Sequence, residues 1–224
     1  MAITTATTTA EILALTTTQM AALTTTELAL LSYTQARAFT STQFAALSTS
    51  QLPSLSTSGV SGLTTNVVSA LSTDQIVALS TRQAAALNAT QVQSLAPAKL
   101  AAVETADFAA LAAASFSLLS TAQVAGLSTG QIVALTTSQA AALGASQVAG
   151  LGTTLLGALE TQDFAALKGS AVAALSTAQI QSLATDKIVA LTPTQAASLT
   201  STQVSKLTTD HVVALETADL PAVS

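Results

Sequence analysis

The chain has no cysteine and no tryptophan, a single tyrosine and a single histidine, and only 8% of its 224 residues are charged. Without cysteine there is neither a disulfide framework nor a thiolate metal site. The six basic residues, Arg37, Arg82, Lys99, Lys168, Lys187 and Lys206, are scattered singly, so no cation cluster exists to displace counterions from a nucleic-acid backbone. Met1 to Thr7 has no positive charge ahead of an apolar core, so no cleavable secretory leader is expected there. Long apolar runs are missing as well. The longest, Phe108 to Ala114, is far short of the roughly 18 residues that a membrane span needs.

What remains is half apolar, mostly alanine, leucine and valine, with threonine, serine and glutamine as the polar complement. That much aliphatic surface separates the chain from disordered, highly charged sequences and predicts folding. Aligned on leucine, residues 8–223 form 27 octads without an insertion, after an N-terminal segment 1–7. The consensus is Ser/Thr-Thr-x-Gln-Val/Ile-x-Ala-Leu, clearest at Ser72 to Leu79, Ser120 to Leu127 and Ser128 to Leu135. Position eight is always apolar, with Phe39, Val103 and Val223 in place of leucine. A phase kept for this length gives every unit the same geometric task.

A second period lies above the first. Ile76 to Leu79 recurs at Ile132 to Leu135 and Ile188 to Leu191, each 56 residues on. Glu104-Thr105-Ala106-Asp107 recurs as Glu160-Thr161-Gln162-Asp163 and Glu216-Thr217-Ala218-Asp219. The octads with Gly59, Ser115 and Ala171 at position four share the spacing. Seven octads therefore make a superunit, which suggests two turns of about 3.5 octads, with leucines inside and threonine and glutamine at the outer edges.

Each octad reads as a helix start. Ser72 and Gln75 have capping-box spacing, and Leu71 with Ile76 sit where a hydrophobic staple fixes the entry of the chain. Pro97 and Pro193 fall at the first helical position, where no hydrogen bond is lost. Pro53 and Pro221, at position six, do not fit a regular helix. One continuous helix is disfavoured, because eight residues advance about 800° and the apolar stripe would slip about 80° per octad. The expected fold is all-α, a solenoid of very short helices, one per octad. A β-solenoid is the alternative, since threonine and valine favour strands, but the capping boxes, the Ala-Ala-Leu endings and only nine glycines weigh against it.

Few residues invite chemistry. His211 stands alone in the slot usually held by glutamine and can do the same capping work. With no second histidine or clustered carboxylate it has no metal shell, and nothing marks any serine as a triad nucleophile. Tyr33 and the five phenylalanines read as core fillers or contact points. The acidic pairs Glu104 and Asp107, Glu160 and Asp163, and Glu216 and Asp219 are weak candidates for a divalent cation or a subunit contact. Proximity of each Asp to a helix start explains it without a ligand. No cofactor and no catalysis are expected.

The repeat quoted from Ser72, Ser128 and Ser176 resembles the Thr/Gln-rich tandem repeats of long exported proteobacterial surface proteins described as adhesin-like. The resemblance implies a structural product at the cell surface or outside the cell. The sequence itself points to a protein whose partner is a second copy of itself, joined head to tail into a filament, sheath or surface layer, because repeat arrays have open ends. A passive adhesin stalk, or an ice- or carbohydrate-binding threonine array, are the other readings.

Overall fold

The structure, a computed structural model, describes residues 3–215. Glu216, Asp219, Pro221 and Val223 lie outside the described residues. The chain divides into two compact units, Met1–Ser115 and Phe116–Ser224. Among the described residues there are helices of four to six residues, one 3-10 turn and no strand. The all-α reading holds, and the β-solenoid is not what forms. No described helix is long and apolar enough to cross a membrane.

Each helix begins where the octad begins. In Thr73–Val77 the N-cap Ser72 is extended, with φ −70° and ψ 163°. The Gln75 N–H donates to Ser72 Oγ at 3.1 Å, and the Ser72 N–H donates to Gln75 Oε1 at 3.0 Å. Two helix-start N–H groups are thereby satisfied within one octad. The chain leaves the helix through Ala78 and Leu79 and re-enters extended geometry at the next cap. Among the described residues no φ is positive. Corners made from extended and right-handed residues need no left-handed glycine, which accounts for a tightly wound repeat with so few glycines.

Proline behaves in two ways. Pro97 and Pro193 occupy the first position of helices Pro97–Ala101 and Pro193–Ser198, as expected. Pro53 sits within Leu52–Ser54, the 3-10 turn, so this octad tightens where the others make an α-turn.

Within the first unit, Thr9–Leu13 packs on Tyr33–Arg37 and Thr17–Ala21 on Ser41–Ala45; within the second, Thr121–Ala125 packs on Ala145–Ala149 and Thr129–Val133 on Thr153–Ala158. In every case the partner is the third octad along. Side chains at positions five and eight fill the interior, as with Phe44 and Leu47 in the first unit and Ile132 and Leu135 in the second. One octad is too short to hold a helix alone. Burying a leucine contributes roughly 1.5–3 kcal/mol, so contacts between coils stabilise helices that local propensity cannot.

Gly62 marks the tightest approach. A Cβ there would lie 2.3 Å from the Tyr33 carbonyl oxygen, so only glycine lets Thr57–Gly62 settle against Tyr33–Arg37. The Phe residues are buried, but Tyr33 is 47% exposed and does not fill the core.

Candidate functional site

The chemically informative position is the fourth of each octad. Its glutamine was expected at the outer edge, yet Gln43, Gln83, Gln91, Gln147, Gln195 and Gln203 are buried. The reason is a second hydrogen bond. In the first unit Gln43 Nε2 donates to the carbonyl oxygens of Leu15 at 2.8 Å and Ile12 at 2.9 Å. In the second, Gln147 Nε2 donates to Leu119 at 2.6 Å and Phe116 at 2.7 Å. Those carbonyls belong to positions eight and five, 28 and 31 residues back. The position-eight carbonyl lies past the end of a preceding helix and has no intrahelical donor, whereas the position-five carbonyl also accepts the position-eight N–H of its own octad, as Ile12 does from Leu15 at 3.1 Å. One amide thus starts its own helix through Oε1 and finishes an earlier one through Nε2.

The 28-residue step is three and a half octads, half of the 56-residue superunit. The chain therefore returns to register after two coils, and the superperiod is a winding number. The N-terminal segment obeys the same rule: Gln35 Nε2 donates to the carbonyl oxygens of Thr7 at 2.8 Å and Thr4 at 2.9 Å.

Some substitutions at position four keep a donor to an earlier carbonyl. His211 accepts the Thr208 N–H at Nδ1, 3.4 Å away, and places Nε2 2.9 Å from the Leu183 carbonyl oxygen, 28 residues back. The arrangement requires the proton on Nε2, and the ring then reproduces both functions of glutamine. Lys99 donates from Nζ to the Ser69 carbonyl; the buried Lys187 instead pairs with its neighbour Asp186 at 3.4 Å. Where Gly59 cannot donate, the Ser56 hydroxyl does, reaching the Leu31 carbonyl oxygen at 2.8 Å.

Glutamate occurs at position four only in the first coil, at Glu11 and Glu27. The Glu11 carboxylate accepts the Thr8 N–H at 2.7 Å and its hydroxyl at 2.8 Å. These two donors, the N–H first, hold Glu11 below the ordinary carboxylate range. Glu27 is lowered in the same way by the Thr24 N–H and hydroxyl, and it also accepts the Ile3 N–H at 3.0 Å.

In the two described acidic pairs the glutamate and the aspartate take different places. Glu104 and Glu160 are exposed N-caps whose side chains do not cap their helices. Asp107 and Asp163 occupy the position of the bridging glutamine and are buried. Thr81 Oγ1 donates to Asp107 at 2.7 Å, and Thr137 Oγ1 donates to Asp163 Oδ1 at 2.9 Å. The second carboxylate oxygen of Asp163 is enclosed without a partner. Burial pushes the Asp163 carboxyl up; the Thr137 donor opposes this, and the charge of Glu160 adds to it. Among the described residues no group of three or more His, Asp or Glu is arranged to hold a metal. Glu216 and Asp219 lie outside the described residues.

The family described as the ALTTAQ repeat matches residues 100–137 and 156–193. Over those segments the chain is similar to this repeat. The two matches are offset by 56 residues, one superunit. No curated protein matches the chain.

Proposed function

We propose that the protein is a structural solenoid that associates with copies of itself end to end, in an extracellular filament, sheath or surface layer, and that it carries out no catalysis. The observation that carries this reading is the last described coil. Val212, at the normally buried position five, is 53% exposed, and Val204 and Leu207 are only partly covered. Leu167 and Leu175 show what the position-eight carbonyls of a covered coil receive, the amides of Gln195 and Gln203. An apolar, acceptor-rich face of this kind is what one coil presents to the next.

Glu11 and Glu27 favour a second reading, a monomeric spacer. A head-to-tail joint that copied the internal contact would bring the first coil's position-four groups onto position-eight carbonyls of another copy, and two of the three, Glu11 and Glu27, are carboxylates with nothing to donate. Size-exclusion chromatography over a range of concentrations, with electron micrographs of the same samples, separates the two. Concentration-dependent growth into thin unbranched filaments supports assembly, and monodisperse monomers at high concentration support the spacer.

A further inference from the structure

We infer that Asp163 is a proton-binding site built into the array, its neutral carboxyl donating from Oδ2 to the carbonyl column that glutamine amides serve elsewhere. Asp163 is 0% exposed, one oxygen takes the Thr137 hydroxyl at 2.9 Å, and the other is enclosed without a partner. The register says what that second oxygen serves. Gln147, Gln179, Gln195 and Gln203 in the same unit each donate to the position-eight carbonyl 28 residues back. For Asp163 that carbonyl belongs to Leu135, and the position-five carbonyl 31 residues back belongs to Ile132.

An ionised carboxylate in this slot would set negative oxygen toward carbonyl oxygen and leave a charge buried without compensation, which is costly. Donation from the acid removes both penalties at once. A hydrated metal ion has no room, because the unpartnered oxygen has essentially no open surface. The charged neighbours are Glu160 on the same helix and Asp186 with Lys187 on Thr185–Val189, which packs against it; the segments 128–135, 136–143 and 192–199 carry none. Lys187 is engaged by Asp186, and Glu160 opposes a second negative charge. The upward displacement of the Asp163 carboxyl agrees with this geometry. Because the folded state binds the proton more tightly than the unfolded chain, the contribution is fully present below the ordinary carboxylate range. It is lost as pH rises through the raised folded value.

The test joins carbon-13 NMR titration of the wild-type carboxyls with denaturant midpoints across pH for wild type, Asp163→Asn and Asp163→Gln. The Asp163 carboxyl is expected to titrate above the other carboxylates. The wild-type midpoint should fall beyond that pH relative to the Asn variant, which keeps a donor at all pH values. Asp163→Gln, which restores the consensus, guards against an Asn variant that fails to fold. Titration of Asp163 with the ordinary carboxylates overturns the inference, as does the same pH dependence in wild type and variants. A rise in the wild-type midpoint on adding calcium at neutral pH, absent in both variants, also overturns it by assigning the slot to a metal cation.

Discussion

Gln195 and Leu167, 28 residues apart, are joined by an Nε2 to carbonyl hydrogen bond of 2.8 Å while Oε1 of the same amide accepts the Thr192 N–H at 2.9 Å. The amide couples the start of one helix to the end of another in the preceding coil. Glutamate could perform only the first of these tasks. Gln195→Glu is therefore expected to destabilise the array by about 1–3 kcal/mol, the range for leaving a buried polar group unsatisfied, or more if the new carboxylate stays charged. Gln19→Glu, in the first coil where the side chain is exposed, should be near neutral, within about 0.5 kcal/mol. Urea denaturation of the two variants checks the pair, and equal losses would show that the amide does no bridging.

Core and surface aliphatics of the same octad should separate widely. Leu135 is buried and Val133 is 47% exposed, so Leu135→Ala should cost about 2–5 kcal/mol and Val133→Ala no more than about 0.5 kcal/mol. Ser128, whose hydroxyl accepts the Gln131 N–H at 3.1 Å, should fall between them at about 0.5–2 kcal/mol on replacement by alanine. Thermal midpoints of the three variants give the order directly, and a Ser128→Ala loss exceeding that of Leu135→Ala would contradict the core assignment.

The fold was legible in the sequence to the extent that it rests on local chemistry. Caps, staples and proline at the first helical position, as at Ser72, Ile76 and Pro97, state short helices without reference to the rest of the chain. The packing partners were legible only through the 56-residue recurrence of Ile76, Ile132 and Ile188. The buried role of glutamine was missed because a capping box explains Gln75 completely when the octad is considered alone. A signal was nonetheless present. Lys99, Lys187 and His211 are poor replacements for a cap acceptor and good replacements for a donor, whereas Glu11 and Glu27 are confined to the first coil. Likewise Asp163 next to a helix start has an adequate dipole explanation, and only burial shows that the side chain turns away from solvent into a slot that calls for a donor.

Two glycines should respond with opposite sign to the same substitution. Gly157 lies inside the helix Thr153–Ala158 with nothing within 4 Å of an added Cβ, so Gly157→Ala should stabilise by roughly 0.5–1 kcal/mol through helix propensity. At Gly62 the Cβ would collide with Tyr33 backbone atoms, 2.3 Å from its carbonyl oxygen. Gly62→Ala should destabilise by about 1–3 kcal/mol, the usual penalty for overpacking. Calorimetric melting of both variants tests this, and stabilisation by Gly62→Ala would mean that the two helices do not approach closely.

The carboxylates of the first coil make the last prediction, which concerns acid and assembly together. Glu11 and Glu27 are held below the ordinary carboxylate range by N–H and hydroxyl donors from Thr8 and Thr24. Their folded values lie below their unfolded ones, so their contribution is present above the unfolded value and is lost as pH falls through the folded one. Replacing both with glutamine preserves the box and removes this acid sensitivity, leaving a flatter stability profile at the low end of pH. The same replacement supplies amide donors to the face that an internal-type joint would bring onto the position-eight carbonyls of another copy. The Glu11→Gln, Glu27→Gln double variant should therefore associate end to end at lower concentration than wild type, with sedimentation velocity as the measure. Unchanged sedimentation alongside the expected flattening of the acid profile would place any self-association on a different surface. Stronger association in the variant would identify Glu11 and Glu27 as groups that hold the first coil apart from a second copy.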